Sequence, residues 1–180
     1  MESEPPDAAS RRVAVVLEHM RLENEHDFSG CIAEFGRPRY DIVATDEVRD
    51  GATAVEAFLH ENRRAFPDFR FDAQTTRDAG DAVLVEGVFT GTHEGTWRGL
   101  PATGRKVRFP MAVVFTFEGD ALVGERLYFD LATPLRQLGV ARDPTSPWGR
   151  VLVVANHPLT VAGAAFRSIA GRGRSRARRS

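Results

Sequence analysis

Residues 107–117, VRFPMAVVFTF, decide the fold. Val107, Phe109, Met111, Val113, Phe115 and Phe117 alternate with smaller or polar residues, the period of a β-strand with one apolar face. Glu118, Gly119 and Asp120 follow as a hairpin signal, so residues 122–130 return beside that strand. The returning strand splits into two faces: Val123, Glu125, Leu127 and Phe129 on one, Leu122, Gly124, Arg126, Tyr128 and Asp130 on the other. Upstream, residues 69–73 alternate, residues 79–81 turn, and residues 83–90 are again β-rich, with the glycine-dense stretch 91–104 between strands.

The period changes before residue 67. Val13, Val16, Leu17 and Met20 fall at helical spacing and predict an amphipathic helix from Arg11 to about Asn24, continuing or kinking into residues 28–35. Gly36 and Pro38 stop it. Residues 40–45 read as a short strand and 46–51 as a turn. Residues 52–66 form a second helix, with Val55, Phe58, Leu59 and Phe66 on one face and a capping box from Thr53 to Glu56. Pro67 ends it, because its ring clashes with the preceding turn. Thr133 and Pro134 open a short helix that Gly139 closes. Helices first and antiparallel strands after define an α+β class, with helices packed on one face of a curved sheet and a pocket between them.

The 180 residues hold one domain of ordinary soluble composition, 42% hydrophobic and 27% charged. Residues 1–10 read as an acidic, proline-bearing disordered leader, 11–142 as the domain, 143–170 as a helical extension, and 171–180 as a basic disordered tail. The net charge of -1 hides an asymmetry. Arg167, Arg172, Arg174, Arg176, Arg178 and Arg179 stand without an acid among them, on an otherwise acidic chain. Such a tail suits an anionic membrane surface or nucleic-acid phosphate. The favoured reading is a solvated end on a helix that packs against the domain or an oligomer interface, with nucleic acid not expected. The start carries no secretory signal and Cys31 is a lone cysteine, so a cytoplasmic location is expected.

Several short pieces follow one another in order: residues 24–28 (NEHDF), 51–55 (GATAV), 66–68 (FPD), 99–105 (GLPATGR), and Asp130 followed by 135–139 (LRQLG). Together they resemble the SnoaL-like polyketide cyclases of the nuclear transport factor 2-like superfamily, over about residues 10–140. The resemblance implies a cone-shaped half-barrel, usually oligomeric and here expected as a homodimer. It further implies an apolar small-molecule substrate and ring closure by an aldol reaction without metal or cofactor. It also implies that Asp130, by its place before glutamine-leucine-glycine, is the general acid/base. The chain departs from the pattern in having Arg126 where the family carries a tryptophan, and no histidine near residues 114–116. The superfamily also holds epoxide hydrolases, isomerases and proteins without assigned activity, so a hydrolase or a non-catalytic binding module are the rival readings.

Tyr128 and Arg126 share the strand face of Asp130 and are the expected oxyanion partners. The plainer alternative has Asp130 capping the helix near Thr133 and Arg126 in a surface ion pair. His26, Tyr40, His93 and Trp97 are the expected substrate-binding residues, Trp97 as a cover on the pocket mouth. Against this, His26 and Tyr40 also suit a helix end and a strand aromatic. No metal site is expected, because His19, His26, His60, His93 and His157 show neither helical pairing nor a nearby acid-histidine motif.

Overall fold

The computed structural model describes residues 7–143, 145–163 and 167, which fall into two units, 1–138 and 139–180. The first opens with α1 (Ala8–Asn24) and α2 (Phe28–Ala33), followed by β1 (Arg39–Ile42), a 3-10 turn (Val43–Thr45) and β2 (Glu47–Asp50). After α3 (Ala52–Ala65) come β3 (Arg70–Asp78), β4 (Ala82–Thr92), β5 (Lys106–Glu118), β6 (Ala121–Phe129) and α4 (Ala132–Gln137). The second unit holds α5 (Pro147–Asn156) and helical residues 158–163. No described helix is long and apolar enough to cross a membrane. The expected tail, 171–180, lies outside the described residues.

The six strands form one sheet in the order β2-β1-β6-β5-β4-β3. All neighbours are antiparallel except β1 and β6, which run parallel, so the sheet is mixed. Directly paired residues share a face, and the pairs Val83 with Phe115, Val85 with Val113 and Phe89 with Phe109 put the apolar side of β4 and β5 toward the helices. α1 answers with Val16, His19 and Met20, and α3 with Val55, Phe58 and Leu59, all buried. A bulge between Ala73 and Thr75 bends β3 across β4. Gly87 allows the crossing, because a Cβ there would stand 2.4 Å from the Asp72 carbonyl oxygen.

Several expected boundaries move. α1 begins at Ala8 with Asp7 as its cap, the Asp7 carboxylate accepting from the Ser10 amide at 2.7 Å, so residues 8–10 are helical and not leader. The first helix breaks at residues 25–27, where His26 takes a left-handed φ of 60°. The expected turn at 46–51 contains strand β2, whose half-exposed edge position gives it no apolar alternation to read. α3 starts at Gly51 without a side-chain cap, so the expected Thr53–Glu56 capping box does not form.

Candidate functional site

Between the helices and the concave face of the sheet lies a cavity of about 70 Å³. Phe66, Phe69, Phe89, Phe109 and Phe129 line it, together with Phe58, Met20 and Met111. The rings of Phe69, Phe89, Phe109 and Phe129 succeed one another at centroid spacings of 5.8, 5.0 and 5.3 Å, an aromatic ladder across the strands. Four polar side chains interrupt this wall: Glu23, Asn62, Arg98 and Glu125.

Glu23 comes from α1, one turn beyond His19, and Glu125 from β6. Their carboxylate oxygens and a nitrogen of His19 lie within 4.8 Å of one another. His19 Nε2 stands 2.5 Å from Glu125 Oε1, both side chains almost wholly buried. The contact is short, and Oε1 has no other hydrogen-bond partner among the described residues. Two ligands of one first-row metal ion, each bonded at about 2.1 Å in tetrahedral geometry, stand about 3.4 Å apart. Nε2 and this one Glu125 oxygen stand closer than that, at the spacing of an ion pair. On its other edge His19 Nδ1 lies 3.2 Å from the Cys31 carbonyl oxygen, which only accepts, so Nδ1 carries a proton.

Burial alone would lower the proton affinity of His19, but the Glu125 carboxylate outweighs it and raises the pKa well above the usual value. Glu23, dehydrated and beside the Glu125 charge, is pushed up to about 7, with His19 opposing. Glu23 is partly exposed and borders the cavity. Cys31, buried behind His19, is pushed up to about 11 by burial, which removes it as a nucleophile at neutral pH.

The expected catalytic trio lies elsewhere. Asp130, Tyr128 and Arg126 are all absent from the cavity wall. The Asp130 carboxylate is 61% exposed and takes hydrogen bonds from the Ala132 amide (2.9 Å) and the Thr133 hydroxyl (2.6 Å), with Arg136 at 3.3 Å. Those bonds, Thr133 first, hold its pKa below the usual carboxylate value. Arg126 pairs with Asp41 at 3.3 Å on the outer face, where Tyr128 is 40% exposed. The cause is the strand's two-sidedness: Glu125, Leu127 and Phe129 face the cavity, so the alternate residues face away.

The expected binding residues divide. Trp97 does line the cavity, packed against Phe66 with ring centroids 5.6 Å apart. Tyr40 is fully buried behind the wall, its hydroxyl 3.2 Å from His19 Nε2. His26 packs on Phe69 beside the domain's first bend, and burial lowers its pKa. His93 is buried against Phe66, its Nδ1 accepting from the Thr103 amide at 3.3 Å. Neither His26 nor His93 lines the cavity.

His19, Glu23 and Glu125 were missed by the reading that took the histidines to show neither helical pairing nor a nearby acid-histidine motif. His19 and Glu23 are four residues apart and therefore on one helix face. Glu125 is the single acid on the apolar face of its strand, a signal stronger than the polar face that carries Asp130.

The fold is an α+β half-barrel with an acid-floored aromatic cavity. The family model for SnoaL-like polyketide cyclase matches residues 14–138, and the chain belongs to that family. Among solved structures, a candidate polyketide cyclase of Xanthomonas campestris is 20% identical over 73% of this chain and 99% of its own, with a TM-score of 0.66. AclR, a candidate hydroxylase of Streptomyces galilaeus, is 21% identical over 74% and 99%, with a TM-score of 0.63. A protein of ketosteroid isomerase-like fold from Catenulispora acidiphila is 17% identical over 71% and 93%, with a TM-score of 0.62. At these identities the structures establish the fold. The comparison with curated proteins returns no match.

Proposed function

We propose that the chain is a cofactor-independent cyclase or isomerase acting on an apolar, carbonyl-bearing substrate of polyketide type, with Glu23 as the proton carrier. The observation that supports it is a carboxyl group with a pKa of about 7 bordering an aromatic cavity. A base so tuned is about half ionised at neutral pH and strong enough to attack a C–H bond next to a carbonyl. Glu23 takes that proton, the enolate carbon bonds to a second carbonyl carbon, and the resulting alkoxide takes the proton back. Asn62 is the donor on the wall that suits an oxyanion.

The cavity of about 70 Å³ is well below the roughly 300–1,000 Å³ of sites that enclose drug-sized ligands. Substrate entry therefore displaces the mouth segment Thr96–Arg98, which Arg98 ties to Glu47 and, at 3.1 Å, to the Thr45 hydroxyl. Trp97 leaves with it. The expected homodimer stays a proposal alongside, supported by half-exposed Tyr128 on the sheet's outer face, and sedimentation of the purified chain measures it.

The test is turnover of a panel of anthraquinone-type methyl esters. Glu23→Gln is expected to lower kcat by about 10²–10⁴-fold, with wild-type kcat/KM rising with pH through about 7 as Glu23 ionises. Equal turnover by Glu23→Gln and wild type removes the glutamate from the reaction.

A further inference from the structure

Three neighbours meet at Glu125 beneath the cavity: His19 from α1, Tyr40 from β1, and Glu23 at its side. His19 cannot turn. Its ring stands edge-on to Phe35 at 5.0 Å and to Phe115 at 5.7 Å, and its Nδ1–H is committed to the Cys31 carbonyl. Nε2 thereby faces Glu125 and Tyr40, with the Cys31 thiol at 3.5 Å. Were Nε2 bare, it would accept from the Tyr40 hydroxyl at 3.2 Å and set a lone pair against the Glu125 carboxylate 2.5 Å away. With a proton on Nε2 the same approach is attractive, and the Tyr40 hydroxyl is released toward Glu125.

We infer that His19 is a positioning residue, held as an imidazolium paired with Glu125, so that Glu23 is left to carry the mobile proton of the cavity floor. The inference rests on the proposed use of Glu23 and assigns the rest of its machinery. Two acids side by side in a dry cavity would otherwise share one proton between them. A fixed cation on one of them divides the labour: Glu125 supplies constant charge and Glu23 the exchange. The other charged groups near are Arg98, occupied by Glu47, and Cys31, which burial keeps a neutral thiol. Tyr40 is kept neutral likewise, by burial first and then by the acids.

The experiment is NMR on the full-length chain labelled with ¹⁵N-histidine and side-chain ¹³C-glutamate. At pH 7 the His19 signals are expected to show both ring nitrogens protonated; a neutral ring with bare Nε2 overturns the inference without any variant. In His19→Gln the Glu23 proton is expected to bind at least tenfold more tightly than in wild type, because Glu23 loses the cation that opposes it. An unchanged midpoint in folded His19→Gln overturns the inference; if that variant does not fold, the wild-type nitrogen signals decide. Should His19 prove doubly protonated while Glu23→Gln turns over normally, the proposed reaction fails and the ion pair stands.

Discussion

Glu23 and Asp130 are both acids whose proton affinity is displaced, in opposite directions and for opposite reasons. Glu23 is dehydrated beside a second carboxylate, and its proton is held more tightly. Asp130 is in water and accepts from Thr133, Ala132 and Arg136, and its proton is lost more easily. Only the first state suits exchange with a substrate at neutral pH. Asp130→Ala should therefore leave turnover unchanged and give a small decrease in melting temperature, since it removes the acceptor for the Ala132 amide and the Thr133 hydroxyl at the start of α4. Calorimetry and the ester assay on one preparation check both halves. A large loss of kcat with unchanged stability would return Asp130 to the site.

Elements set which of these residues meet. α1 buries Val16, His19 and Met20 and brings Glu23 to the cavity because positions three, four and seven apart share a helix face. β6 presents Glu125 because a register shift after Thr116, opposite Val123 and Gly124, resets the alternation: Leu122 and Glu125 both end buried although three residues apart. Simple alternation from Leu122 would have sent Glu125 to the outer face. β3 closes the cavity end through its own bulge, which depends on Gly87. Gly87→Ala should cost about 1–3 kcal/mol in unfolding free energy, since the new methyl meets the Asp72 carbonyl and the Phe71 ring. Urea titration of the variant measures it, and a wild-type midpoint would show that β3 can move aside.

At the scale of the whole molecule, the buried acid and base make stability depend on pH in one direction. The Glu23 pKa is raised, so the folded chain holds a proton that the unfolded chain releases above about 4.5. Its contribution is fully present below that value and is lost as pH rises through about 7. His19, also raised, contributes stability below 6.5 that is lost as pH rises through its higher folded value. Both slopes fall with rising pH. The melting temperature should therefore decrease from pH 7 to pH 9, above the range where His26 and His93, whose pKa values burial lowers, act in the opposite sense. Glu23→Gln should flatten the lower part of that curve. A melting temperature that rises over this interval would contradict the charge states assigned to the floor.

How much of this was legible differs by element. The period of residues 107–117, the hairpin at Gly119, the apolar faces of α1 and α3 and the stop at Pro67 follow from local sterics and hydrophobic periodicity, and the chain determined them by itself. So did its membership of an α+β half-barrel family, because the order of short motifs is a property of the chain. β2 was not legible, since an edge strand with half-exposed faces lacks the alternation that marks a buried one. The site was written in part: His19 and Glu23 at helical spacing and Glu125 among apolar neighbours were visible, but their meeting was not. Contact between residue 19 and residue 125 depends on the parallel seating of β1 against β6, the bulge in β6 and the rotation of α1 over the sheet. Those are packing outcomes, in which desolvation decides which acid keeps its proton, and they exist only once the chain has closed on itself.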